Sequence, residues 1–243
     1  SLEGSVRQMN DLNGDFFRHI SSEFNEELEE LRRSLLEMGG LVEGQLSAAL
    51  AYYKGLDSAH LENIEVVERS INSAEIGLDE QVQSLIVRRQ PTASDLRLVL
   101  AVSKIVVDLE RAGDELEKVC KLSLETFSSS DSVGISEVSR MATDVSKMLS
   151  EALTAFARLD LDLARDIFAR EREIDKNYQS ALRALATFVM EDPKSIGEVL
   201  NVVWIARSLE RVADHATNIA EYVIYLVQGV DVRHPGVNQN SFN

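Results

Sequence analysis

Leu109-Glu110-Arg111-Ala112-Gly113-Asp114 recurs one hundred positions later as Leu209-Glu210-Arg211-Val212-Ala213-Asp214. In each copy a glutamate and an aspartate are four residues apart, and side chains at that spacing lie on the same side of an α-helix. The repeated phrase therefore predicts two equivalent helices that each carry an equivalent pair of carboxylates.

Similarity between the two halves of the chain extends well beyond this phrase. Residues 46–57 resemble residues 149–160, and residues 68–72 resemble residues 171–175. Pro91 aligns approximately with Pro193. A repeat of about one hundred residues is longer than the ~20–50 residues of solenoid repeats, so the pattern indicates a duplicated domain.

Composition and periodicity predict an all-α protein. The 243 residues include only three prolines, and 44% are hydrophobic, while the alternating runs typical of strands are scarce. Apolar residues recur at spacings of three and four along most of the chain. We predict two tandem three-helix bundles at residues 21–128 and 132–229, joined by a linker rich in serine, and six long helices at about 22–55, 58–88, 92–127, 136–159, 162–190 and 193–228.

The two ends and one internal site differ from this helical pattern. Ser1–Gln8 resembles a vector-derived extension, with Met9 as the natural start, and we expect a flexible lead-in to about residue 20. Residues 230–243 contain proline, glycine and several asparagines, which predicts a disordered tail. Two adjacent glycines, Gly39 and Gly40, predict an interruption or kink in the first helix.

The charge of the chain narrows its range of partners. The net charge is −16, which would repel nucleic-acid backbones and anionic membrane surfaces. Basic proteins and multivalent cations fit better, although such a charge also serves solubility alone. No apolar run approaches the ~20 residues of a membrane span. Cys120, the one cysteine, allows no internal disulfide and is expected in the core.

Carboxylates form stripes on the predicted helices. The third helix of each half carries Glu110 and Asp114 or Glu210 and Asp214, and the second helices carry Glu68, Glu75 and Asp79 in one half and Glu171 and Asp175 in the other. Like charges at four-residue spacing repel one another unless a cation neutralises them. The stripes therefore indicate either a metal site or a solvated surface on which each glutamate pairs with the adjacent Arg111 or Arg211.

Other candidate functional residues give weaker signals. Trp204 falls on an apolar helix face, which predicts a position in the core or in a buried interface, and His215 is expected at the surface. The chain lacks the Glu-x-x-His pairs with which helix bundles hold di-iron centres. It also lacks a phosphate-binding glycine loop and a nucleophilic triad. We therefore predict that the protein is not an enzyme.

With these motifs assembled, the chain resembles the PhoU family of bacterial phosphate-uptake regulators, whose duplicated acidic signature matches both copies of the repeated phrase. The segment Arg89–Arg97 is a further and specific match. The similarity covers residues from about Asn10 to His234. Shorter matches support it at Met38–Gly40, Ala155–Arg158, Met190–Asp192 and Ala206–Ser208.

The resemblance implies a fold and a role. It implies two three-helix bundles and a cytoplasmic negative regulator of the phosphate-starvation response. Such a regulator is expected to contact the ATPase subunit of the phosphate ABC transporter and a two-component sensor histidine kinase. We also expect a homodimer, because long amphipathic helices can self-associate. A carboxylate-rich metal-storage protein is the alternative function.

The resemblance also implies metal clusters at the acidic motifs, with iron, zinc, manganese, magnesium or calcium as candidate ions. Asn72 departs from the acidic pattern at the position equivalent to Asp175. This departure makes the site of the first half weaker than that of the second. Carried over to this chain, the candidate metal ligands are Glu110, Asp114, Glu171, Asp175, Glu210 and Asp214.

Overall fold

Six long α-helices make up the part of the chain that the structure describes. A computed structural model describes residues 2–55, 61, 63–91, 93–127 and 132–229, with side chains from Ser22 onward. The helices are α1 (Leu2–Tyr53), α2 (Ile64–Arg89), α3 (Ala93–Thr126), α4 (Ile135–Arg158), α5 (Leu161–Glu191) and α6 (Ile196–Gln228), with a short 3₁₀ turn at Pro193–Ser195. The described residues contain no strand, and the predicted all-α class is confirmed.

The helices form two three-helix bundles joined side by side. Helices α1, α2 and α3 pack on one another, and so do α4, α5 and α6. The two halves meet where α3 packs against α6 and α1 packs against α4, and the contact between α3 and α6 is the most extensive in the molecule. Four helices therefore surround the centre, with α2 and α5 outside, as the duplicated sequence predicts.

Apolar stripes at helical spacing build the core. One face of α1 is fully buried at Leu31, Leu35, Met38, Val42, Leu46 and Ala49. Each buried leucine or isoleucine stabilises the fold by about 1.5–3 kcal/mol relative to exposure. In α3 and α6 equivalent leucines, Leu109 and Leu209, are completely buried. Cys120 is also buried, as predicted.

Specific residues determine where the last helix begins and ends. The Asp192 side chain accepts a hydrogen bond from the Lys194 backbone N–H, and Pro193 occupies the first position of the short turn. Gly229 ends α6 in the left-handed region, with φ of 69°, and donates its N–H to the Tyr225 carbonyl. Both ends agree with the sequence signals, since aspartate and proline start helices and glycine stops them.

Gly39 allows the two halves to approach closely. The predicted interruption of α1 at Gly39-Gly40 is wrong, because the helix continues through both residues. A Cβ atom at position 39 would lie 2.8 Å from Leu153 Cδ2 on α4. The glycine therefore allows close packing between α1 and α4, and the kink at this position stays a prediction.

Trp204 does not lie in the core, and its predicted alternative position in a buried interface stays a prediction. Its side chain is 62% exposed, on a stripe of α6 that also exposes Leu200 and Arg207. The apolar character of this stripe misled the prediction, because neither α3 nor α5 covers that side of α6.

Several predicted segments remain untested. The backbone of residues 2–21 is helical, where we predicted a lead-in, and the flexibility of that lead-in stays a prediction. The serine-rich linker at 128–131, the turn near residue 58, the N-cap at Thr92 and the tail at 230–243 lie outside the described residues. In the part of the chain that is described, no helix has the length and hydrophobicity needed to cross a membrane.

Candidate functional site

An acidic cluster lies between α5 and α6 in the second half. The antiparallel packing of these helices brings together four predicted residues, Glu171 and Asp175 of α5 with Glu210 and Asp214 of α6. Burial and the neighbouring charge of Asp214 raise the pKa of Glu210. Burial and Asp175 likewise raise the pKa of Asp214. The pKa of Glu171 is raised by burial most of all, although a hydrogen bond from Thr217 opposes the shift.

The equivalent cluster of the first half lies between α2 and α3. Burial, then repulsion by Asp114 and Glu75, raises the pKa of Glu110. Glu68, at the position equivalent to Glu171, is buried, and its Oε2 accepts a hydrogen bond from Gln45 Nε2 at 3.2 Å. Burial raises the pKa of Glu68, so this cluster contains a buried carboxyl group although Asn72 replaces the aspartate found at the equivalent position of the second half.

The alternative to a metal site was a solvated surface on which Glu110 pairs with Arg111 and Glu210 with Arg211, and the ion pairs differ from that expectation. Arg211 binds Glu115 at 3.1 Å rather than its neighbour Glu210. Glu210 pairs with Arg207 at 2.7 Å. Each cluster still holds more carboxylates than cations, and repulsion between them adds to burial in raising the pKa values of Glu110, Glu210 and Asp214. A cation or a basic group of another protein would relieve the repulsion.

The arrangement does not form a complete metal centre. Within the described ranges, no three histidine, cysteine, aspartate or glutamate side chains are close enough together to share a metal ion. The six predicted ligands instead form three pairs, each pair one helical turn apart on α3, α5 or α6. Metal binding at Glu110, Asp114, Glu171, Asp175, Glu210 and Asp214 stays a prediction.

A polar cavity of about 290 Å³ lies between the two clusters. Its lining consists of three pairs of equivalent positions, each pair one hundred residues apart: Arg111 and Arg211, Asp114 and Asp214, Glu115 and His215. The cavity therefore lies where an approximate two-fold axis relates the halves, and each acidic cluster contributes one aspartate to it.

Glu115 organises one side of this cavity. Its Oε2 accepts a hydrogen bond from Ser208 Oγ of the other half at 2.7 Å, and its Oε1 pairs with Lys118 and Arg211 at 3.0 and 3.1 Å. Burial opposes ionisation of Glu115, but the hydrogen bonds from Ser208 and Lys118 outweigh it and lower the pKa. A buried carboxylate thus holds two cations in position at the surface.

His215 forms the equivalent contact on the other side. Its Nδ1 lies 2.8 Å from Oδ1 of the buried Asp108, which also accepts from Asn218 Nδ2 at 2.8 Å. The prediction of a surface histidine is therefore wrong. Sequence reasoning missed Asp108 and Ser208 altogether, although their equivalence, one hundred residues apart, was the available signal.

Comparison with known proteins assigns the family. The family model described as the PhoU domain matches the chain twice, at residues 35–123 and 138–223. The chain belongs to the PhoU family. Each PhoU match contains one acidic cluster and most of α3 or of α6.

Curated PhoU relatives match over most of their length. The chain is 47% identical over 222 residues to the phosphate-specific transport system accessory protein PhoU homolog of Pseudomonas aeruginosa, covering 91% of this chain and 92% of the relative. It is 40% identical to the phosphate-specific transport system accessory protein PhoU of Escherichia coli K12, covering 90% and 91%.

Solved PhoU structures share the architecture. The crystal structure of PhoU from Pseudomonas aeruginosa superposes with a TM-score of 0.80 at 46% identity, covering 85% of this chain and all of that chain. The phosphate transport system regulatory protein PhoU from Streptococcus pneumoniae gives a TM-score of 0.78 at 29% identity, covering 86% of this chain and 99% of the other.

Proposed function

We propose that this chain is a negative regulator of phosphate uptake that acts by binding other proteins. The relatives in Pseudomonas aeruginosa and Escherichia coli are named as accessory proteins of a phosphate-specific transport system. The partners would be the ATPase subunit of the phosphate ABC transporter and a sensor histidine kinase in the cytoplasm. The kinase would be kept in its phosphatase-favouring state while phosphate is plentiful.

One observation carries this proposal. Two equivalent acidic clusters persist on the surface of one body although their carboxylates repel one another. Such clusters destabilise the free protein, and the cost is offset when basic groups of a partner cover them. The role proposed is therefore regulatory and not catalytic, and it depends on surface complementarity.

Metal storage is the alternative that the sequence leaves open. The same excess of carboxylates favours cation binding. The described residues lack a three-ligand grouping, which gives this alternative less support than docking. A metal ion could also act together with docking by changing the charge of the acidic clusters.

The test is alkaline phosphatase activity in phosphate-rich medium, with the gene deleted from its host and then restored. We expect high activity in the deletion strain and repression after restoration with the wild-type gene. The Glu210→Ala/Asp214→Ala variant should fail to repress. The matched control, Asp162→Ala/Asp166→Ala, removes a pair of exposed carboxylates four residues apart on α5, outside the acidic cluster, and should repress fully.

Low activity in the deletion strain would reject the regulatory role in that host. Full repression by Glu210→Ala/Asp214→Ala would leave the regulatory role standing and remove the acidic cluster of the second half from it. Immunoblotting should show that the variants accumulate to equal levels.

A further inference from the structure

One surface of the molecule differs in charge from the rest. Helices α3 and α6 lie side by side and antiparallel, because Asp108 contacts His215 while Glu115 contacts Ser208. Each helix leaves one stripe exposed on the side away from α1 and α4. The two stripes meet at the central cavity, and together they form a surface that we name the α3–α6 face. Its residues are Leu100, Lys104, Val107, Arg111, Asp114 and Lys118 of α3 and Leu200, Trp204, Arg207, Arg211 and Asp214 of α6.

This face is rich in basic and apolar side chains. Lysines and arginines outnumber the two exposed aspartates, although the whole chain has a net charge of −16. Trp204 and Leu200 are 62% and 52% exposed, one helical turn apart. Exposed tryptophans with nearby arginines are typical of the residues that dominate the energy of protein interfaces.

Part of the basic charge is preorganised. Glu115 lies beneath the face and holds Lys118 and Arg211 by ion pairs, while Ser208 and burial keep its carboxylate in place. Because α3 and α6 are antiparallel, Lys118 lies near the turn of α6 that carries Trp204. Trp204 could contact the apolar stripe of a partner segment, while Lys118 and Arg211 pair with carboxylates beside that stripe.

We propose that the α3–α6 face is the docking site for an acidic amphipathic helix of a partner protein, with Trp204 as its apolar anchor. This inference rests on the proposed function and adds to it a second docking surface, of opposite charge, beside the acidic clusters. The groove between two antiparallel helices has the shape in which an amphipathic helix can lie.

Two other occupants fit the face less well. A second copy of this chain would bring the same arginines and lysines against each other in a symmetric contact. An anionic membrane is a broad surface that would meet the flanking acidic clusters together with the basic side chains, whereas one helix, about 10–12 Å wide, can contact Trp204, Lys118 and Arg211 and avoid most of the clusters. The charges therefore favour an acidic protein segment.

The test uses the full chain with two purified probes, the ATPase subunit of the host's phosphate transporter and the cytoplasmic part of its sensor kinase. For the partner that docks here, we expect Trp204→Ala to weaken binding roughly tenfold or more. Lys118→Gln should slow association and reduce its dependence on salt. Val87→Ala on α2 and Lys147→Gln on α4 are matched controls, since both residues are exposed outside this face, and they should bind as the wild type does.

The single tryptophan also allows a direct readout of the face. The chain labelled with 5-fluorotryptophan should show a ¹⁹F shift when the partner is added. A shift with phosphatidylglycerol vesicles but with neither protein would overturn the proposal in favour of a membrane. A concentration-dependent shift without any partner would overturn it in favour of self-association.

The binding results separate this inference from the proposed function. If the wild type binds a probe and Trp204→Ala binds both probes as the wild type does, the α3–α6 face is not the docking site. The proposed regulatory role would remain intact. A wild-type chain that binds neither probe and does not restore repression would overturn the proposed function and the docking face together.

Discussion

His215 of the second repeat lies 2.8 Å from Asp108 of the first, at positions equivalent to those of Glu115 and Ser208 in the companion contact. The two contacts are related by the approximate two-fold axis, yet their chemistry differs. One pairs an imidazole with a buried carboxylate, and the other pairs a carboxylate with a hydroxyl. Both join α3 to α6.

Exchanging one contact for the other should show that each is a matched pair. His215→Glu places a second carboxylate against buried Asp108, and we expect a loss of about 2–3 kcal/mol in the free energy of unfolding. Asp108→Ser/His215→Glu recreates the pair made by Ser208 and Glu115, with Arg111 in the role of Arg211, and should recover most of that loss. Urea unfolding measures each variant. The single variant Asp108→Ser completes the comparison. If the loss of the double variant equals the sum of the losses of Asp108→Ser and His215→Glu, the two residues are not coupled.

The acidic clusters predict that stability falls as pH rises. In the folded state the pKa values of Glu210 and Asp214 are raised above their ordinary values of 4.5 and 3.8. At a pH between the ordinary and the raised pKa values, these two carboxyl groups bind more protons in the folded chain than in the unfolded chain. Their contribution to the free energy of unfolding is therefore present at low pH and is lost as pH rises through the raised pKa values. We expect the free energy of unfolding to decrease as pH rises above the ordinary pKa values of 4.5 and 3.8 toward neutrality.

Asp214→Asn should reduce this pH dependence. It removes a like charge four residues from Glu210, so we expect a gain of roughly 0.2–0.5 kcal/mol at about pH 7 and a smaller gain at about pH 5. Asp166→Asn, on an exposed site of α5, should leave the profile unchanged. Equal profiles for wild type and Asp214→Asn would contradict the prediction.

At lower pH the direction of the dependence reverses. Below about pH 4.5 the free energy of unfolding should decrease as pH falls, because Glu27 and Glu115, whose pKa values are lowered in the folded state, become protonated.

Gly134 should tolerate no side chain. Its φ is +76°, and an added Cβ would lie 2.5 Å from Val202 Cγ1 on α6. We expect Gly134→Ala to lower the free energy of unfolding by about 2–4 kcal/mol, through backbone strain and steric overlap. Gly40→Ala, in a helical site with nothing within 4 Å, should instead stabilise by about 0.5–1 kcal/mol. Thermal unfolding of both variants checks the pair, and similar shifts would refute the structural distinction.

Cation binding should depend on the same carboxylates. Calorimetric titration with Mn²⁺ should show weaker binding at about pH 5 than at about pH 7, because protons compete for the raised-pKa groups. In Glu210→Ala/Asp214→Ala the heat of Mn²⁺ binding at the second cluster should be lost. In Asp162→Ala/Asp166→Ala it should be retained. Equal heats for all three chains would exclude the second cluster as a metal site.

The sequence was sufficient to predict the helices and the acidic stripes along them, because both depend on local spacing. Rare prolines and the recurrence of apolar residues define the helices, and a four-residue spacing places Glu210 and Asp214 on one side of α6. The duplication also supplied the equivalence between α5 and α2. No knowledge of how helices pack was needed for these predictions.

The remaining features depend on which helices are neighbours. Trp204 lies on an apolar stripe, but only the packing of α6 reveals that this stripe is uncovered. His215 became interpretable once α3 and α6 were found to be antiparallel, since its partner is 107 residues away. The role of Gly39 likewise required the position of Leu153 on α4. Periodicity along one helix contains no information on such contacts.

The two unlike contacts between α3 and α6 also bear on how a duplicated protein can change. In a symmetric dimer of half-length chains, any substitution would appear at both ends of the interface at once. Joining the halves in one polypeptide removes that restriction, so His215 with Asp108 and Glu115 with Ser208 can diverge separately. Tandem fusion thus gives the molecule two non-identical ends, each able to acquire its own recognition properties.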